Sequence, residues 1–301
     1  MRKIACFILV SLTLLLVADR LGGMAMRVAA SRSNDVLSPK LRYIADSVHE
    51  DVVLLGASRC HHHYVPSVMA KVLGLSVYNA GVGGSDNIFS HYIVLRHILQ
   101  RHTPRLVVLE VMTTDYSQQA DPFATVSYFA PLFGRCAAAD SVYHLCGSHW
   151  KYALSHLYRY NAKAPATLWG LVLNRQRDHD HGYMPLATPA CPPTEEPAAD
   201  APRQVDSLKL SYLRRFIALC RERGAEVVLT VSPRLTRVKP SHYDVLRSLA
   251  RHCGVGFLDY HTPGLYLDRP DLFRDASHLC DNGARRFSTL VAGDLKAFVQ
   301  K

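Results

Sequence analysis

Asp51-Val52-Val53-Leu54-Leu55-Gly56-Ala57-Ser58-Arg59 decides how the chain is read. A short aliphatic run without polar alternation is a strand buried on both faces, as in a parallel sheet. Gly56 ends the run, and Ser58 stands at its carboxyl end. Outward from it, residues 65–73 have helical spacing and 75–78 form a second apolar run. That run closes in the glycine-rich Asn79-Ala80-Gly81-Val82-Gly83-Gly84. Residues 88–101 read as a helix that Asp86 or Asn87 caps, and 106–111, after Pro104, as a third strand. The alternation stops at Thr113 and resumes with a helix at 205–223, a strand at 226–231, a helix at 242–253, a strand at 255–258 and a last helix at 281–298. Strand–helix alternation at this pitch implies an α/β three-layer sandwich around a central parallel sheet.

Between 113 and 203 lies an aromatic-rich insertion, with helical spacing near 151–160 and 167–173. Within it, His179-Asp180-His181 and the acid- and proline-rich 185–202 read as exposed loop. The expected organisation is a segment 1–30 that anchors the chain and an α/β domain from 43 to 301 carrying that insertion.

The 301 residues are 49% hydrophobic and 20% charged, a globular composition. The formal net charge of +10 comes from scattered Arg, with no basic helix interleaved with stacking aromatics, so nucleic acid is not the expected partner. Met1-Arg2-Lys3 precedes a charge-free run from Ile4 to Ala18, which Asp19-Arg20 ends. Positive residues before a short apolar core, without a small-x-small cleavage site directly after it, predict an uncleaved membrane helix. Lys and Arg stay inside and the body is extracytoplasmic, periplasmic or at the cell surface. None of the eight Cys forms a Cys-x-x-Cys pair, so no zinc site is expected; Cys136 and Cys146 could pair locally, and Cys220 and Cys253 read as core. Three consecutive His at 61–63 point about 100° apart on a helix and cannot share one ion. One of them, His62, is expected to line the space beside Ser58.

Ligands of open parallel sheets sit beyond the carboxyl ends of the strands. Three such places carry reactive residues: Gly56-Ala57-Ser58-Arg59, Asn79-Ala80-Gly81, and Asp275-Ala276-Ser277-His278-Leu279 before the last helix. A serine hydroxyl needs a base to take its proton; an imidazole is the natural base, and a carboxylate fixes its tautomer. These blocks, in this order, resemble those of the SGNH/GDSL hydrolases, and Arg59, His62, His63 and Tyr64 resemble the envelope-anchored group of that superfamily. The resemblance implies a flavodoxin-like SGNH fold with Ser58 as nucleophile, His278 as base and Asp275 as its orienter. The Ser58 and Gly81 N–H groups, supported by Asn79, would form the oxyanion hole. No cofactor or metal is implied. The reaction implied is that of an esterase or O-acyltransferase on acyl esters of an envelope or extracellular glycan.

Two departures stand out. Ala57 replaces the usual Asp or Ser, and Glu110-Val111-Met112-Thr113-Thr114-Asp115 lacks the third-block Asn that donates to the oxyanion. Thr113 or Arg59 would have to substitute. Arg59 would otherwise bind a substrate anion or pair with Glu110 or Asp115. The rival class is a non-catalytic envelope binding or assembly protein on the same fold, and a third is a secreted lipase.

Overall fold

The computed structural model describes residues 1–172, 180–189, 191–195, 204–237 and 239–299. In chain order its helices are α1 (Arg2–Arg32), α2 (Ser38–Asp46), α3 (Ser58–His63), α4 (Pro66–Leu73), α5 (Ile88–Ile98), α6 (Ala137–Leu145), α7 (His149–Leu154), α8 (Ala164–Val172), α9 (Ser207–Glu222), α10 (Asp244–Cys253) and α11 (Asp281–Val299). The chain divides into two compact units. One is Met1–Asp46 with the described part of Val126–Arg177; the other is Ser47–Thr125 with the described part of Asp178–Lys301. The division does not follow the sequence boundaries at 43 and at 113–203. Residues 113–125 and 180–189 belong with the sheet, and 126–172 belong with the amino-terminal helix.

The second unit holds the five-stranded parallel sheet that the aliphatic runs predict. Its strands are β1 (Val52–Leu55), β2 (Val77–Asn79), β3 (Leu106–Glu110), β4 (Glu226–Val231) and β5 (Gly256–Asp259), in the order β2-β1-β3-β4-β5. Val52, Val53, Leu54 and Leu55 are all buried, which is why the run carries no polar residue. Against one face, Met69 of α4 and Phe287, Val291 and Leu295 of α11 join the cluster built on Val52, Leu54, Val108 and Val228. α5 and α9 pack together through Phe89 and Tyr212 (ring centroids 5.0 Å). A buried side chain of this size contributes about 1.5–3 kcal/mol. Local signals set the helix ends. Asn87 accepts from the Ser90 N–H (3.0 Å) and Asp206 from the Leu208 and Lys209 N–H groups; Pro66 opens α4, and Gly74 closes it at φ +69°.

This strand order reverses direction between β1 and β3, and that switch point is where open α/β sheets take ligands. α3 starts there. Gly56 makes the exit possible, because a Cβ on it would lie 2.7 Å from Cys60 Cβ and 3.0 Å from Glu110 Cβ.

The first unit holds α1, α2 and α6–α8. α1 is long and apolar enough to cross a membrane, with mean hydropathy 2.2 and none of its most apolar window buried. The expected helix over 151–160 is broken: α7 ends at Leu154, Ser155 turns to extended backbone, and 158–160 form a 3₁₀ turn. The expected helix over 167–173 is described as far as Val172; Leu173, His179 and residues 196–203 lie outside the described residues. The local Cys136–Cys146 bridge that the sequence left open is not formed, and none of the eight cysteines is in a disulfide. The two flank α6 at opposite ends, about 15 Å apart along the axis, and a disulfide needs Cα atoms within about 7 Å. Cys220 is buried as core, and burial pushes its thiol up to about 12; Cys253 is half-buried.

Candidate active site

Ser58 is the first residue of α3, directly past the β1 exit. Its Oγ lies 2.8 Å from His278 Nε2, a contact between residues 220 apart in sequence. His278 Nδ1 lies 3.0 Å from both Asp275 oxygens. With Nδ1–H directed at the carboxylate, Nε2 is left to accept the Ser58 proton. Asp275 also accepts the Ser277 N–H (2.8 Å) and the His278 N–H (2.9 Å). Burial raises its pKa, but these hydrogen bonds and His278 outweigh that and hold the carboxyl below the usual range. The loop carrying both residues closes on itself. Arg274 N–H donates to His278 O (2.7 Å), and Cys280 N–H to Leu272 O (2.9 Å). Gly283 packs beneath it, where a Cβ would sit 2.1 Å from the Leu272 carbonyl oxygen.

Asn79 and Gly81 differ from expectation. Asn79 is fully buried; its Nδ2 donates to Cys60 O (2.7 Å) and Tyr64 O (2.9 Å), and its Oδ1 accepts the Gly81 N–H (3.0 Å). An Asn side chain bonding its own backbone two residues on is a local, low-entropy contact. It commits both groups to stapling the β2 exit onto α3 rather than to a bound oxyanion. Of the two expected N–H donors, Gly81 is bonded to Asn79, and the Ser58 N–H has no partner among the described residues. Gly81 still needs to be glycine, since a Cβ there would meet Cys60 Sγ at 2.8 Å.

Arg59 is not available to a substrate anion. Its guanidinium is buried, Nη2 lies 2.9 Å from Glu110 Oε1, and it donates to Val111 O (3.2 Å) and Ser232 O (3.5 Å). Burial pushes the Glu110 carboxyl up to about 7 against the pull of Arg59. Thr113 is half-exposed on the 3₁₀ turn after β3. His62 Nδ1 lies 2.7 Å from Met184 O, and its ring meets His278 edge-on at 5.7 Å. The described residues contain no group of three or more His, Cys, Asp or Glu able to hold a metal ion.

Sequence reasoning assigned no role to three contributors, one pair of neighbouring residues and two single ones. Met184 and the buried Tyr183 lie between two stretches read as loop; Met184 N–H donates to His61 O (3.0 Å), and Tyr183 OH to Asp281 Oδ1 (2.9 Å). Arg234 donates to Ser277 Oγ (3.1 Å). Its place just beyond β4 was the available signal.

The third is His63. It is fully buried, its Nε2 accepts the Leu279 N–H (3.0 Å), and its ring lies edge-on to His278 at 6.2 Å. Only a neutral ring with Nε2 unprotonated can accept that bond. Burial, and then the neighbouring His278 and Arg59 charges, hold its pKa well below the ordinary value. Below about pH 6.5 the unfolded chain therefore binds a proton here that the folded chain refuses, so stability is lost as pH falls from that point. His63→Gln keeps an acceptor for Leu279 and removes the proton site. Thermal denaturation across that range should show a shallower acid loss in the variant than in the wild type; equal slopes would deny His63 this role.

No family model matches the chain, and no curated protein matches it. Among solved structures the chain is similar to one described as a "putative acylhydrolase" from Bacteroides fragilis, at 12% identity and TM-score 0.46, covering 87% of this chain and 97% of that one.

Proposed function

We propose that the chain is a serine esterase or O-acyltransferase of SGNH type, working through Ser58, His278 and Asp275. The observation that carries this reading is the 2.8 Å approach of Ser58 Oγ to His278 Nε2, with Asp275 behind the imidazole. Ser58 Oγ attacks the ester carbonyl carbon as its proton passes to His278 Nε2. The imidazolium is stabilised by Asp275, and the Ser58 N–H faces the developing oxyanion. Collapse expels the alcohol, which takes the proton from His278, and leaves an acyl group on Ser58. Water or a sugar hydroxyl, deprotonated by the same imidazole, then receives the acyl group. The proposed substrate class is the acyl ester of an envelope or extracellular glycan. α1 holds the chain at the membrane with Arg2 and Lys3 inside and the catalytic unit outside.

One observation favours a second reading, a non-catalytic envelope binding protein. The Gly81 N–H is taken by Asn79, and no third-block Asn is present to replace it as a donor. A fluorophosphonate probe decides between the two. Covalent labelling that mass spectrometry locates on Ser58 is the expected result; a folded protein that takes no label removes the enzymatic reading.

A further inference from the structure

The uncharged run of α1, Ile4 to Ala18, is about 22 Å long at 1.5 Å per residue. A bilayer hydrocarbon core is about 30 Å thick and takes roughly 20 residues. A span of that depth reaches past Asp19 and Arg20, and apolar exposure does continue there, with Leu21 59% and Met24 60% exposed. A charged pair at that level is costly unless protein takes up its polar atoms. Here protein does so. Asp19 accepts the His156 N–H (2.8 Å), the Leu157 N–H (3.3 Å) and the Ser155 hydroxyl. Arg20 Nη1 donates to Asp19 Oδ2 (2.6 Å) and Leu154 O (2.9 Å). Gly23 permits the approach, since a Cβ on it would lie 2.5 Å from His156 Cβ.

The turn that closes over this pair faces solvent with apolar side chains. Leu154 is 63% exposed, and Trp150, one helical turn before it, is 54% exposed. Lys151 Nζ sits 5.8 Å from the Trp150 ring centroid. Tryptophan beside a cation, at the level where the charge-free run of an apolar helix ends, suits a membrane–water boundary and anionic headgroups.

We propose that residues 150–157 form a second membrane contact, lying in the headgroup region of the bilayer that α1 crosses. The proposal rests on reading α1 as a span. The turn supplies the partners that let Asp19 and Arg20 sit at that depth, and its own exposed apolar groups are covered by lipid.

The chain holds two tryptophans, Trp150 and Trp169. Trp169 is a built-in control. Its neighbour Gly170 accepts the Asn34 N–H (3.0 Å) beside Ser33, about 21 Å along α1 from Asp19. The full chain is incorporated into phosphatidylcholine–phosphatidylglycerol vesicles, with acyl chains brominated near the headgroup or left plain, as the exposed-site variants Trp169→Phe and Trp150→Phe. Trp150 fluorescence should fall by about half with brominated lipid while Trp169 stays nearly unchanged, as expected for an interfacial and a remote ring. Three results overturn the proposal with the span intact: protein that floats with vesicles while Trp150 is unquenched and open to iodide; Trp150 shielded from iodide without bromine quenching, which assigns a protein occupant; and equal quenching of both rings. Protein that does not float at all overturns the span reading, and this proposal with it.

Discussion

His278→Ala is expected to lower kcat/KM toward an activated aryl ester by about 10⁴-fold or more, with thermal stability changed little. The size follows from the chemistry. A serine hydroxyl is almost wholly protonated at neutral pH, so under the proposed chemistry its nucleophilicity depends on the imidazole 2.8 Å away as the group that removes the proton. No other imidazole contacts Ser58 among the described hydrogen bonds: His63 is committed to the Leu279 N–H and His62 to Met184 O. The small stability effect follows from exposure, since the His278 ring is partly open to solvent and its loop is tied by backbone bonds that the substitution leaves in place. Asp275→Asn should cost less than His278→Ala, because the carboxylate acts only through the imidazole. Initial rates on the folded variants test both. Wild-type turnover in His278→Ala would remove Ser58 and His278 from the mechanism together.

Arg59→Ala is expected to destabilise the folded chain by about 3–5 kcal/mol, the cost of leaving a buried carboxylate without its cation. Glu110 is 1% exposed, and Arg59 is the cation within salt-bridge distance. The loss carries a sign in pH. Glu110 titrates near 7 in the folded chain against an ordinary 4.5, so it takes up a proton on folding, and its contribution to stability falls as pH rises between those values. Without Arg59 the folded pKa climbs further, and the variant's deficit should be larger at about pH 8 than at about pH 6. Urea denaturation at both values measures it. Arg59→Met combined with Glu110→Gln should recover most of the loss, because it removes both charges and keeps the volume. A single variant as stable as the wild type at both values would show that the pair carries no such weight.

The sheet was legible because parallel strands buried on both faces are filled mostly by aliphatic residues. Val52–Leu55, Leu106–Glu110 and Glu226–Val231 stand out as aliphatic runs of strand length. Ser58, Asp275 and His278 were singled out together through the resemblance of their sequence blocks, and the structure brings the three side chains within hydrogen-bond distance. The rest depended on partners far away in sequence. Nothing in Asn79-Ala80-Gly81 reveals that the Asn side chain turns back onto the Gly81 N–H rather than outward. Arg59 carried two readings of equal standing until Glu110 was seen 2.9 Å away. Tyr183 and Met184 fall between two stretches that read as loop, and such segments show no periodicity by which a buried anchor can be recognised. The break in helix at Ser155 follows from Asp19, whose carboxylate gathers the Ser155 hydroxyl and the two N–H groups after it.

The 220-residue separation of Ser58 from His278 also sets when, during its own making, the molecule becomes competent. A growing polypeptide displays the hydroxyl first and gains the imidazole 220 residues later. Until the stretch carrying His278 emerges and folds back onto the β1 exit, the nascent chain has the Ser58 alcohol without that imidazole beside it. Under the proposed chemistry it is therefore silent toward esters in transit, and it switches on only once the carboxyl-terminal helix has docked.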